Sequence, residues 1–106
     1  MVSVIVRTKN EEKHIGHCIQ SVTDFIGKPE IVIVDNESTD NTIPIINRFE
    51  YHDIEKITIP KNDYTPGKSI NLGVKNCTED YVMILSAHCE IIKFDFDLIR
   101  EQLDRN

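Results

Sequence analysis

Five positions, Ser86-Ala87-His88-Cys89-Glu90, hold a hydroxyl, an imidazole, a thiol and a carboxylate. They follow the apolar run Tyr81 to Leu85, which reads as a buried strand. In an extended chain side chains alternate, so Ser86, His88 and Glu90 would share one side and Cys89 would face away. Imidazole and carboxylate together suit Mn²⁺ or another first-row ion better than Mg²⁺, which prefers oxygen ligands. A histidine at a strand end is, however, more often a hydrogen-bonded structural residue. The cluster therefore has to be weighed with its surroundings.

Two more polar loops follow apolar runs. "RTKNEE" (Arg7 to Glu12) follows "VSVIV", and "DNESTD" (Asp35 to Asp40) ends "EIVIVD". The Asp35 carboxylate can accept from a ligand N–H, and the Asn36 amide can donate and accept. Lys68 opens a helical stretch, "PGKSINLG", where free N–H groups and the helix dipole favour an anion. Each has a plainer reading. Asp35 and Asp40 could cap their loop, Asn10 could cap a helix with Glu11 in its first turn, and Arg7 and Lys68 could simply meet solvent. His14 and His17 are not spaced i, i+4 and suggest no zinc site.

The elements around these loops alternate. Val2 to Val6 reads as a strand buried on both faces. Ile15, Cys18, Ile19, Val22, Phe25 and Ile26 form one helical face, with Gly27-Lys28-Pro29 as a stop. Glu30 to Asp35 is a second strand. A helix with Ile43, Ile45, Ile46 and Phe49 follows, with Pro44 in its first turn. Ile54 to Ile59 is a third strand, near an edge because of its polar interruptions. A third helix carries Ile70, Gly73, Val74 and Cys77, and Gly73 lets it approach a sheet closely. A fourth strand ends at Leu85, and Phe94, Leu98, Ile99 and Leu103 mark a last helix. The pattern predicts a single domain over 1–106. It is α/β, with three α/β/α layers around a mostly parallel, Rossmann-like sheet. Ligands of such sheets sit beyond the carboxyl ends of the strands, where all three polar loops fall.

Composition narrows the partners. The formal net charge of −6 and the lack of any Lys/Arg cluster exclude a nucleic-acid partner. A phosphorylated small molecule remains compatible if a divalent metal supplies positive charge. Three cysteines, Cys18, Cys77 and Cys89, fit no zinc or disulfide pattern and point to a reducing, cytoplasmic location. The short apolar run before Arg7 is too brief for a signal peptide or a membrane span.

The blocks "VSVIVRTKNEE", "IVIVDNESTDNT" and "GKSINLGVKNCTEDYVMILSAHCE", in this order and spacing, resemble the N-terminal half of a family 2 glycosyltransferase with the GT-A fold. The likeness covers nearly the whole chain. It implies transfer of a sugar from a nucleotide-diphosphate-sugar donor to a glycan or lipid-linked acceptor, inverting and metal-dependent. It also implies donor-binding roles for Arg7, Thr8, Glu11, Asp35, Asn36, Lys68 and Ser86. In the family the fourth strand ends in an Asp-x-Asp motif holding ribose and metal. Here Ser86 and His88 replace the two acids, and Glu90 stands where some members have a further ligand. The resemblance thus implies His88 and Glu90 as metal ligands, with Mn²⁺ ahead of Mg²⁺, and Ser86 near the ribose. Asn36 replaces a common second Asp and leaves the base undecided. Asn71 matches a frequent buttressing Asn.

The family's general base lies downstream of this motif, and no counterpart is visible here. The expectation is a donor-binding half, truncated before the acceptor half and inactive alone, working in the cytoplasm at the inner face of a membrane. Its open sheet edge could pair with a second copy. A non-catalytic nucleotide-binding or scaffold module with a degenerate metal motif is the alternative. A receiver-like signalling domain is disfavoured, because Arg7 and Thr8 stand where paired acids would be needed.

Overall fold

The computed structural model describes residues 1–49 and 52–105. Four strands, β1 (Val2–Thr8), β2 (Glu30–Asp35), β3 (Ile54–Thr58) and β4 (Tyr81–Ser86), form one parallel sheet in the order β3-β2-β1-β4. Helices α1 (Ile15–Phe25), α2 (Thr42–Ile46), α3 (Pro66–Lys75) and α4 (Phe96–Asp104) connect or follow them, with short 3-10 turns at Asn47–Phe49 and Lys61–Asp63. The expected α/β class is the observed one. No helix among the described residues is long and apolar enough to cross a membrane.

The two central strands explain the core. β1 and β2 are apolar on both faces because both faces are covered. Val4, Val6, Ile31 and Ile33 meet Ile15, Cys18, Ile19 and Val22 of α1 and Ile46 of α2. Ile5, Val32, Val34 and Ile59 form the opposite core, under Leu72 and Cys77. Burying each such Ile or Val contributes about 1.5–3 kcal/mol. A Cβ on Gly73 would sit 2.7 Å from Ile5 Cγ2, so the expected close approach of α3 depends on this glycine.

Several local expectations are corrected. β4 is not buried on both faces. It is an edge strand, and Val82 and Ile84 are 39% and 46% exposed, because α3 packs over β1 and β2 and leaves that side of β4 open. Phe25 is largely exposed rather than on the core face of α1. Lys28, not Gly27, takes the left-handed backbone after α1. In α4, Leu98, Ile99 and Leu103 are exposed, and the helix is held instead by Phe96 edge-on to Tyr81 and by the Tyr81 hydroxyl donating to Asp104 at 2.9 Å. The edge position of β3 is as expected.

Candidate nucleotide site at the strand ends

Strand register brings the polar loops together. Thr8 of β1 lies opposite Asp35 of β2, and Arg7 lies opposite Ser86 of β4. The three strands therefore end level, and their loops open onto a shared cavity of ≈ 260 Å³. Arg7, Thr8, Glu11, Asn36, Ser86 and His88 line it, and Lys9 and Tyr64 join them. Six of the nine residues expected at a site thus converge.

Loops after β1 and β2 are laced to each other. Asn10 Oδ1 accepts from the Thr39 and Asp40 N–H groups at 2.7 and 3.3 Å. Asn10 N–H donates to Ser38 Oγ, Glu11 N–H to Thr42 Oγ1 and Glu12 N–H to Asp40 Oδ2. Asn10 is therefore not the cap of α1, which begins at Ile15. It takes φ 50° and bridges two loops. Glu37 also adopts φ 47°, and its carboxylate accepts from Lys61 N–H. Strained non-glycine backbone of this kind is kept only where its surroundings over-determine it. Asp40 accepts from the Thr42 hydroxyl and N–H and from Glu12 N–H. Burial acts against its charge, but these bonds together hold its pKa below the ordinary value.

Three of those nine residues, and Asn71 besides, lie outside the cavity. The Asp35 carboxylate is buried and accepts from Ser38 N–H at 2.9 Å and Ser38 Oγ at 2.5 Å, which is the loop-capping arrangement. Lys68 pairs with Asp63 at 3.5 Å beside α3, with its N–H donating to the Thr65 cap. Asn71 lines a separate groove with Asp63 and Lys68. Glu90 is exposed and does not line the cavity. The reason is a turn. β4 ends at Ser86 and Cys89 N–H donates to the Ser86 carbonyl, so the alternation expected to align Ser86, His88 and Glu90 is broken. His88 Nδ1 instead sits 3.1 Å from Ser86 Oγ.

Two lining residues were not anticipated. Lys9 sits between Arg7 and Glu11, where nothing in its type or spacing sets it apart. Tyr64 comes from the loop after β3, and an aromatic inside "PKNDYTPG" was its only signal.

A preformed metal centre is not present among the described residues, where no three His, Cys, Asp or Glu side chains gather. His88 is the one imidazole in the cavity, and Glu11 the one carboxylate. Cys18 is buried, and burial first, then the charges of Cys89 and Glu11, push its thiol up to about 12, so it is inert. What marks the cavity for a ligand is a different feature. Arg7 Nε, Thr8 Oγ1 and Asn36 Oδ1 are buried without a hydrogen-bond partner among the described residues, and all three residues line it. Arg7 and Lys9 exceed Glu11 in charge, which suits an anion.

The glycosyl transferase family 2 model matches residues 3–105. The chain belongs to that family. Among curated relatives, it is 35% identical over 92 residues to dolichyl N-acetyl-alpha-D-glucosaminyl phosphate 3-beta-D-2,3-diacetamido-2,3-dideoxy-beta-D-glucuronosyltransferase of Methanococcus voltae, covering 82% of this chain and 29% of that one. Staphylococcus aureus TarS 1–349 in complex with UDP-GlcNAc superposes with TM-score 0.83 at 27% identity, over 98% of this chain and 31% of the other. The Pyrobaculum calidifontis mannosyltransferase PcManGT, solved with GDP-Man and Mn²⁺, gives 0.71 at 27% identity, over 86% and 28%. The chain thus spans under a third of the length of these relatives, and its fold is of the GT-A type.

Proposed function

We propose that this family 2 glycosyltransferase chain is the donor-binding portion of an enzyme that transfers a sugar, with inversion, from a nucleotide-diphosphate sugar to a glycan or lipid-linked acceptor. The observation that carries the reading is the strand-end cavity lined by six of the expected residues, three of which, Arg7, Thr8 and Asn36, carry a buried side-chain atom without a partner among the described residues. Leaving such a group unpaired costs about 1–3 kcal/mol, so side chains that turn outward to a ligand would recover part of that cost. The trio offers an N–H donor, a hydroxyl and an amide acceptor. A base whose carbonyl adjoins a ring N–H, such as uracil, complements it. Cytosine, which presents an acceptor at that ring position, does not. The UDP-GlcNAc complex of TarS agrees with a uridine donor.

Arg7 and Lys9 would face the diphosphate, Ser86 the ribose, and Glu11 and Tyr64 the remaining walls. Asp35 acts by holding the loop that presents Asn36. Lys68 would reach a diphosphate only by leaving Asp63. The side chains present do not by themselves build a metal centre. A divalent cation, Mn²⁺ before Mg²⁺, would be held by His88 together with the donor's own oxygens, as an imidazole ligand prefers. Glu90 would join only if the turn after Ser86 opened. When bound, such a cation supplies positive charge against the leaving diphosphate. The whole protein would work at the cytoplasmic face of a membrane, and β4 is the edge through which two copies could pair. The absence of a three-ligand cluster among the described residues favours a second reading, a nucleotide-binding module without transfer activity.

Calorimetric titration with UDP, GDP and dTDP, with and without Mn²⁺, on wild type, Thr8→Val and His88→Ala tests both. Uridine binding weakened in Thr8→Val supports the donor site. Mn²⁺ dependence lost in His88→Ala supports the metal role, and Mn²⁺ independence favours the module. No nucleotide binding at all would overturn the site.

A further inference from the structure

A second groove, of ≈ 620 Å³, lies between α1 and the segment made of α2 and its 3-10 turn. Among the described residues, it shares no lining residue with the strand-end cavity. Lys13, just before α1, and His17 within it line one side, with Arg48 of the 3-10 turn and His52 beyond that turn. Ile45 and Phe49 supply apolar lining. Gly16 keeps the groove open, and a Cβ there would reach only ordinary contact with Ile45, at 3.5 Å.

The charges are unbalanced in a chain of net charge −6. Lys13 and Arg48 take part in no ion pair among the described residues. Glu12, the one acid lining the groove among the described residues, already accepts from Asn41 Nδ2 at 3.2 Å and is turned toward the loop after β2. Gln20 is held by Asp24 at 2.8 Å. Among the described residues, two fixed cations and two imidazoles therefore face a groove with one occupied carboxylate and an apolar lining.

We propose that this groove is a second anion site, separate from the nucleotide cavity, which takes a phosphomonoester bearing a small apolar or ring body. The phosphoryl oxygens meet Lys13 and Arg48 and accept from the imidazole N–H groups, while the body lies on Ile45 and Phe49. A soluble phosphate ester and the headgroup of a phosphomonoester lipid share this chemistry.

The test uses the whole chain, labelled with ¹⁵N, titrated with phenyl phosphate and separately with inorganic phosphate. Saturable shifts should centre on Lys13, Gly16, His17, Arg48 and His52, with phenyl phosphate the tighter ligand. The double variant Lys13→Gln/Arg48→Gln should weaken binding by about tenfold or more, as expected for lost charge-assisted hydrogen bonds. Gly16→Leu, which fills the groove without changing its charge, should abolish the preference for phenyl phosphate and guards against a charge variant that fails to fold. Sedimentation with phosphatidylcholine vesicles containing phosphatidic acid separates the sources. Retention lost in the double variant assigns the lipid headgroup, and ester binding without retention assigns a soluble ester. Shifts that do not saturate, that persist in both variants, or that fall on Thr8 and Asn36 instead would overturn the proposal.

Discussion

The rim of the sheet has two unlike halves. Beside β1 and β2, loops far apart in sequence are tied by a lattice centred on Asn10, Asp40 and Thr42, with two non-glycine residues held at positive φ. Beyond β4, the turn Ser86-Ala87-His88-Cys89 is anchored through buried Ala87, whose N–H donates to the Arg7 carbonyl at 3.2 Å, while the exposed His88 side chain meets Ser86 alone among the described residues. The first half fixes Thr8 and Asn36 before any ligand arrives. The second leaves His88 free to adjust and Glu90 in solvent. Pre-organisation thus lies on the side proposed to read the base, and adaptability on the side proposed to meet the diphosphate and cation.

The contrast can be broken at Thr42. This residue is fully buried, and its hydroxyl accepts from Glu11 N–H while donating to Asp40. Thr42→Val leaves both partners short and should cost about 1–3 kcal/mol in urea unfolding. Asn10→Ala removes the bridge and places a Cβ residue without its side-chain compensation at φ 50°. A loss of about 1–2 kcal/mol is expected, with weaker nucleotide binding.

Acid sharpens the same contrast. Asp40 has its pKa lowered from 3.8, so the folded state binds the proton less readily than the unfolded chain. Its contribution is therefore complete above 3.8 and is lost as pH falls through the lower folded value. The thermal midpoint of wild type should drop in that acid window, and Asp40→Asn should show a shallower drop. On the other half of the rim, His88→Ala should change stability by no more than about 0.5 kcal/mol, as exposed positions usually do. A large loss there would show that the β4 turn is as structural as the β1–β2 lattice.

Much of this was legible in the sequence, and the failures have physical causes. β1, β2 and the core face of α1 were readable because apolar periodicity records burial directly. β4 was misread because five apolar residues in a row look alike whether one face or two are covered, and coverage depends on where α3 lands. Asn10 carries the right chemistry for a cap, yet its amide bonds a loop nearly thirty residues away, which no local pattern encodes. Glu90 was aligned with His88 on the premise of an extended chain, and a single turn after Ser86 removed it. Tyr64 reaches the cavity through the path of the loop after β3, which spacing along the chain does not reveal.

The central claim is that the cavity at the ends of β1, β2 and β4 holds the nucleotide through Arg7, Thr8 and Asn36. The most direct measurement is an amide and side-chain NMR map of the chain titrated with UDP. The account predicts saturable shifts at Arg7 to Glu11, at the Asn36 side-chain amide, at Tyr64 and from Ser86 to His88, with the α1–α2 groove unmoved. Shifts absent from Thr8 and Asn36, or centred elsewhere on the surface, would contradict it.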